Sequence, residues 1–482
     1  MIWSFYVKPL KKTIRVSILS IVAVGMFMLT AGDVIAFTAP TCDPCGMVGN
    51  LSCEDTPCYP CDNATCNPCD SCETTFGKKT CGKRGLFDSL KFYGWIQAGI
   101  SVNDHGHKNV YTETPGPASR NLHPLAGNSY ILGFAQPSDL KVNQLWFGMS
   151  KAKDTRHGWD WGFQADFMFG TDAKYAQCFG DRTFDFGWGS GDYYDAFVQL
   201  YVELGYKDLT FRVGKFATIM CYEAVPGPAS FFYSHAYLCY NGPLTHQGAI
   251  AEYKINDKWT ILGGWTAGYH NSLENPLDDN AFLGQIRYTI DKDRALAYTC
   301  YQGWHNGYNK RSFESAVSYN RAYRREQETT MSLRYTWQMN KRWFYMVEGL
   351  WSQGYMIGSM GDDGKGNLVN HGNLTKKSYG VNQHLIYTIN KKWSAGVRFE
   401  WLSGHGTFCD IAPITGAQPG TAGQGTDLYE ITFAVNWNIL PNVNIRPEVR
   451  YDWSFYKQGF KPFGGGTESE QLMGGCAVTW SF

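Results

Sequence analysis

Nine of the chain's fifteen cysteines crowd into one stretch, at Cys42, Cys45, Cys53, Cys58, Cys61, Cys66, Cys69, Cys72 and Cys81. Four of the spacings are Cys-x-x-Cys: Cys-Asp-Pro-Cys, Cys-Tyr-Pro-Cys, Cys-Asn-Pro-Cys and Cys-Asp-Ser-Cys. Two thiolates at that spacing can share a tetrahedral zinc in a reducing compartment, whereas in an oxidising one the same residues form a disulfide scaffold. The segment holds few apolar residues, so disulfides are the expected reading and no metal or cofactor is expected. An odd count leaves at least one thiol to pair elsewhere or stay free, and on that count the segment is a candidate for a cell-wall contact or a cross-link to another chain. For nucleophilic chemistry the nearest pairing is His384 on one run with Ser394 across a tight turn. It lacks a third group to orient the base, so a hydrolase is not expected.

What precedes the cysteines sets the compartment. Lys8, Lys11, Lys12 and Arg15 lead into the apolar run 16–30, which ends near the small-residue site Val34-Ile35-Ala36. This is the layout of a secretory signal peptide over 1–36, cleaved after Ala36. Asp33 stands where a lipidated cysteine would be needed, so no lipid anchor is expected. Residues 37–90 then form a Cys-rich segment on the periplasmic side.

Charged side chains supply the remaining chemistry, and their spacing is the main signal. The chain has 482 residues with 43 basic and 43 acidic, so a basic nucleic-acid binder is excluded. Aromatics make up 16% of it and charged residues 18%, so nearly as many rings as charges must be placed. From residue 91 the polar groups alternate with apolar ones. In 443–453 Asn444, Arg446, Glu448, Arg450 and Asp452 share one face, against Val443, Ile445, Pro447, Val449, Tyr451 and Trp453 on the other. Five successive polar positions cannot line a dry sandwich core, and period two means strands. By the same alternation Asp166, Glu203, Arg212, Arg287, Arg334, Glu348, Arg398, Glu400 and Glu430 fall on the polar face and are candidate pore-lining residues. A one-residue slip in register would invert each assignment.

Sixteen such runs follow one another, at about 91–102, 141–151, 159–169, 195–205, 209–217, 246–255, 259–268, 281–290, 295–303, 328–338, 342–353, 378–389, 393–404, 428–439, 443–455 and 471–482. Their connectors alternate between tight polar turns, such as Asn256-Asp257-Lys258, and long links. Trp and Tyr repeatedly flank the tight turns. Short turns at one end, long loops at the other and rings at both predict an all-β antiparallel transmembrane barrel of about 16 strands, with periplasmic turns and extracellular loops. The chain ends on Phe482, a terminal aromatic of the kind read by the outer-membrane assembly machinery.

Several ordered motifs carry a resemblance. Phe92-Tyr93-Gly94-Trp95-Ile96-Gln97-Ala98-Gly99, Val142-Asn143-Gln144-Leu145, Gly170-Thr171-Asp172-Ala173, Gln199-Leu200-Tyr201-Val202-Glu203 and Val213-Gly214-Lys215-Phe216 are similar to the beta-barrel porin-2 family. The stretch from Tyr222-Glu223-Ala224-Val225-Pro226 through Phe231-Phe232-Tyr233-Ser234-His235 to Pro243-Leu244-Thr245-His246-Gln247-Gly248 is the most characteristic. The resemblance runs from about residue 90 to the end and implies an outer-membrane pore with no catalytic residues.

A sixteen-strand barrel is wide enough for an aqueous channel, so passive diffusion of small hydrophilic solutes is the expected function. The alternative is a structural or adhesive surface protein whose barrel only anchors its loops and the Cys-rich segment. The third long connector, 218–245, is the expected constriction loop: it is rich in rings (Tyr222 and Tyr233 among them), and Glu223, His235 and His246 would line or brace the eyelet. Cys221 and Cys239 bracket it, and a disulfide between them would rigidify it. Expected partners are outer-membrane lipid and the barrel-assembly machinery, with no nucleic acid. Homotrimerisation is common among sixteen-strand porins, but nothing in the sequence reads it out.

Overall fold

The computed structural model describes residues 89–104, 140–176, 193–240, 242–268, 280–306, 325–357, 360–362, 368–370, 374–405, 426–455, 463 and 468–482. The expected signal peptide, and all nine cysteines of the Cys-rich segment, fall outside the described residues.

The strands are β1 (Leu90–Asn103), β2 (Lys141–Lys151), β3 (Trp159–Gly170), β4 (Tyr194–Tyr206), β5 (Leu209–Ala217), β6 (Thr245–Lys254), β7 (Trp259–Thr266), β8 (Ala281–Asp291) and β9 (Arg294–Asn306). They continue with β10 (Arg325–Gln338), β11 (Trp343–Ile357), β12 (Met360–Asp362), β13 (Leu368–Asn370), β14 (Leu374–Thr388), β15 (Trp393–His405), β16 (Thr426–Leu440), β17 (Val443–Phe455) and β18 (Glu470–Ser481). All except β12 and β13, which pair only with each other, close into one sixteen-strand barrel in which every neighbour is antiparallel. Closure joins β1 to β18 from Trp95 opposite Ser481 to Asn103 opposite Met473. The backbone of Phe482 exchanges hydrogen bonds with Gly94 at 2.9 and 3.1 Å. No edge of the barrel sheet is left unpaired, which is what a lipid environment requires of strands.

Each of the sixteen expected runs overlaps one barrel strand. The largest differences lie at the long-loop ends, where β10 starts at Arg325 and β14 at Leu374. There the sequence reads Arg325-Glu326-Gln327-Glu328 and Leu374-Thr375-Lys376-Lys377, with little left on the outer face for lipid to select. Hydrogen bonding carries the ladder beyond the apolar band, so alternation under-reports the strand.

The alternation sorts side chains as lipid and lumen demand. On β5, Phe211 and Val213 are exposed outside while Arg212 points inward to the Glu203 carboxylate, 2.7 Å away. Leu333, Phe282 and Phe433 are likewise exposed large apolar groups on the outer face. Among the described residues no helix is long and apolar enough to cross a membrane; the crossing is made by strands.

Three tight turns repeat one solution. Asn256, Asn340 and Asn390 each accept backbone N–H bonds through Oδ1 from the two residues that close the turn, at 2.8–3.1 Å. The second donor is always a Trp. These indoles lie against the ring directly across the ladder, Trp259 on Tyr288 at 4.3 Å, Trp343 on Tyr387 at 4.6 Å and Trp393 on Trp437 at 5.0 Å. The ring-flanked turns therefore form one edge of an interfacial girdle. Gly214, with φ of 133°, passes so close to β4 that a Cβ would lie 2.3 Å from the Leu200 carbonyl.

Val213, midway along β5 on the lipid face, tests the assignment of faces. Val213→Arg is expected to cost roughly 2–4 kcal/mol in denaturant unfolding from lipid vesicles. Thr210→Arg, on the inward side of the same strand, is expected to cost far less.

Candidate functional site

Between β5 and β6 the chain does not stay at the rim but turns into the barrel. Its base is pinned where the Thr218 N–H donates to the Leu244 carbonyl at 2.9 Å and Thr218 Oγ1 meets His246 Nε2 at 3.1 Å. His246 is fully buried between the Phe216 and Tyr301 rings, so it braces the base of the loop. From there the loop runs round the inner wall in largely irregular conformation. An irregular buried backbone has no ladder to satisfy it, and each orphaned N–H or C=O is costly.

The wall supplies the partners. Gln285 donates to the Ile219 carbonyl at 3.1 Å, Ser332 to that of Met220 at 2.8 Å and Arg334 to that of Cys221 at 3.1 Å. Gln144 serves both polarities, donating to the Val225 carbonyl at 2.8 Å and accepting from the Gly227 N–H at 2.9 Å. Arg446 holds the carbonyls of Gly227 (2.9 Å) and Ser230 (2.6 Å) while its second nitrogen donates to Gln97 (2.6 Å). Asn436 donates to the Phe231 carbonyl at 2.8 Å and Arg450 to that of His235 at 2.7 Å.

Carboxylates take the N–H groups. Glu348 accepts from Tyr222 at 3.0 Å, and Glu448 from Tyr233 at 2.7 Å and Ser234 at 3.2 Å. Glu400 accepts from Tyr237 and from Leu238, the latter at 2.6 Å. The Tyr237 hydroxyl closes on Asp452 at 2.6 Å, and the Tyr233 hydroxyl donates to Asn143 at 3.1 Å.

The wall charges are arranged in rows. Glu400, Glu430 and Asp452 stand directly opposite one another on β15, β16 and β17, which alone would be repulsive. One row away, Arg398 and Arg450 flank Thr432 and reach up to Glu430 at 2.5 and 3.2 Å. Arg398 also holds the Glu223 carboxylate and the Ser234 carbonyl, each at 2.7 Å. It lies 4.9 Å from the Phe232 ring centre. Burial alone would push Glu223 up, but the Arg398 guanidinium, together with His384 at 3.3 Å, holds it well below the usual carboxylate range. Burial pushes His235 down, so it stands neutral, with Nε2 3.0 Å from the Ala224 carbonyl. Burial also pushes the Tyr222 hydroxyl up to about 12.

The thirteen expected pore-lining residues thus divide. Glu348, Arg398, Glu400, Arg446, Glu448, Arg450 and Asp452 are buried against the loop and bond to it; Glu430 is buried beneath them, tied to both arginines. Asp166 is buried in the wall itself, accepting from Gln164 and Gln199 at 2.7 Å each. Glu203, Arg212, Arg287 and Arg334 retain side-chain exposure of 13%, 26%, 41% and 21%. With them stand Lys153 (2.7 Å from Glu203) and Glu252 (2.5 Å from Arg287). Gln97, Asn143, Gln144, Gln285, Ser332 and Asn436 join the site as uncharged polar partners, which the charge pattern of the sequence does not single out. Gln97 and Gln144 sit within the family-like motifs, and all six are polar residues on strands.

Cys221 and Cys239 are free thiols here, their sulfurs 3.5 Å apart, so the expected disulfide is not formed in this structure. His384 faces Arg398 across the β14–β15 ladder whereas Ser394 faces Thr388, which places the two on different cross-strand rows. Among the described residues no cluster of three or more His, Cys, Asp or Glu could hold a metal ion.

A closed barrel with a greasy exterior, a charged interior and a loop fastened inside it defines a transmembrane barrel of porin architecture. The model of the beta-barrel porin-2, OmpL-like, family matches residues 89–482, and the chain belongs to that family. No curated protein matches it. Solved structures with a similar fold include OmpT of Vibrio cholerae in trimer form, at 10% identity and a TM-score of 0.47 over 82% of this chain and 99% of that one. An anion-selective porin from Comamonas acidovorans aligns at 9% identity with the same score and coverages. Salmonella typhi OmpF in complex with daunomycin aligns at 10% and 0.47, over 82% of this chain and 97% of its own.

Two outcomes follow from the fastening. Arg398→Met leaves Glu223 and Glu430 buried without their shared cation and should destabilise the folded barrel by about 3–5 kcal/mol, measured by denaturant unfolding in lipid. The low pKa values of His235 and Glu223 both favour the docked loop at neutral pH. His235 loses its contribution as pH falls below about 6.5 towards its folded value, and Glu223 below about 4.3 towards its own. Protease cleavage within 222–238 should therefore rise in two stages on acidification, and His235→Asn should lessen the upper stage.

Proposed function

We propose that this protein is an outer-membrane porin, passing small hydrophilic solutes and ions by diffusion through the part of the lumen that the inward loop does not fill. One observation carries the reading: the division of the charged wall. On β11 and from β14 through β18 to β2 the wall side chains turn to the loop backbone, and the charges of Glu348, Arg398, Glu400, Arg446, Glu448, Arg450 and Asp452 are buried. On β4 to β8 the groups Glu203, Arg212, Glu252 and Arg287 remain partly open to solvent inside the barrel. Water in contact with charge on the inner face of a membrane barrel is what conduction requires, and a lumen packed shut would not leave guanidinium groups exposed.

The loop then acts as a constriction, narrowing the passage from one side. Its fastening by buried charge keeps that narrowing fixed, so the pore has one size and needs no gate. Signal-directed export, insertion by the machinery that reads the terminal Phe482, and a disulfide-linked Cys-rich arm on the periplasmic side complete the proposal. Export is supported by the n-region and apolar run of 1–36, and the arm by its cysteine spacing in an oxidising compartment.

Planar-bilayer recording tests the reading. The purified full chain should give discrete single-channel steps, and deleting 222–238 should raise their conductance. Unchanged conductance would remove the loop from the role of constriction, and a wild-type barrel that passes no current would remove the porin reading. Replacing both Arg212 and Arg287 by Glu should move the reversal potential in unequal salt towards cation preference, since both face the water-exposed part of the lumen.

A further inference from the structure

The two loop cysteines are the nucleophilic groups that the channel reading leaves unused. They lie at facing points on the neck of the loop. Moving inward from the base, Thr218 bonds to Leu244, then Cys221 meets Cys239, then the Glu223 carboxylate accepts the Ala236 N–H at 2.7 Å. Three nested contacts hold the outgoing and returning strands of the loop together, and the middle one is thiol against thiol at 3.5 Å. Both sulfurs converge on the Glu223 carbonyl, at 3.2 Å from Cys221 and 3.9 Å from Cys239. The loop bonds to Glu348, Gln144, Arg446, Glu448, Arg398, Arg450 and Glu400 are all made by residues between the two cysteines.

We propose that Cys221 and Cys239 are a redox-closable pair, joined as a disulfide in the exported protein and closing the loop into a ring at its neck. This rests on the outer-membrane reading only for the compartment, where thiols meet oxidants. The co-reactant is a disulfide-bearing oxidant, small or protein-borne. One thiolate of the pair attacks a sulfur of that disulfide and releases one thiol; the other then attacks the mixed disulfide and releases the second. Two electrons and two protons pass to the oxidant, which becomes two thiols, and one sulfur–sulfur bond forms in the loop.

The neighbouring Cys221 thiol and burial push the Cys239 thiol up, so the seated pair reacts slowly. Closure belongs to the stage before the loop seats on the wall, and reductant reaches the seated disulfide slowly for the same reason. The ring does not create the docked position, which the wall bonds already hold; it keeps the segment from paying out of the barrel when some of those bonds open.

The test uses the full chain taken from outer membranes without reductant, unfolded in the presence of an alkylating reagent and digested. The expected result is one cross-linked species carrying Cys221 and Cys239, separating into two peptides after reduction. Both cysteines alkylated without reduction would overturn the proposal. Cys221→Ser/Cys239→Ser should fold, with wild-type heat-modifiable gel mobility, yet its loop should be cut faster by protease than that of the unreduced wild type. Equal rates would overturn the restraining role. The peptide mass decides the linkage whether or not the barrel conducts, so it can fail or succeed independently of the porin reading.

Discussion

A stretch of irregular backbone inside a closed barrel must find its hydrogen bonds somewhere, and in this protein they come from the wall. Arg446, Arg450, Arg398 and Arg334 donate to loop carbonyls, and Glu348, Glu400 and Glu448 accept loop N–H groups. The wall charges therefore work less as a field presented to passing ions than as the partner set for one segment. That requirement explains why Glu400, Glu430 and Asp452 can be stacked across three strands: loop amides, two arginines and a tyrosine hydroxyl share their charge. Coulomb attraction and backbone satisfaction are met by the same side chains, so neither can be removed without exposing the other.

The rest of the barrel serves that arrangement by holding register. A slip of one residue would send Arg398 to lipid and Val397 to the loop. The Asn-capped turns and the ring pairs beside them fix register at the short-turn end, while the join of β1 to β18 removes the last free edge. The exposed apolar outer face and the charged inner one are two readings of the same alternation, each selected by its own solvent.

Strand number, pairing order and the inward face of every one of the thirteen charged candidates were legible in the sequence, because period two is imposed by lipid on one side. The long-loop strand ends were not, since outside the apolar band the pattern carries no such constraint. The loop was singled out by its rings and its bracketing cysteines, but its partners were legible only where they were charged. Gln144 shows why: whether an inward glutamine meets water or a loop backbone depends on packing between segments 81 residues apart. The same tertiary fact divided the charged residues, burying Arg450 and leaving Arg287 partly exposed, although both occupy equivalent alternating positions.

Amide hydrogen exchange on the protein in lipid reports most directly on the central claim that wall side chains hold the loop backbone inside the barrel. The N–H groups of Tyr222, Tyr233, Tyr237 and Leu238 should exchange as slowly as those of barrel strands such as β15 and β17, despite lying in a loop. Exchange at the rate of an unstructured surface segment would contradict the account.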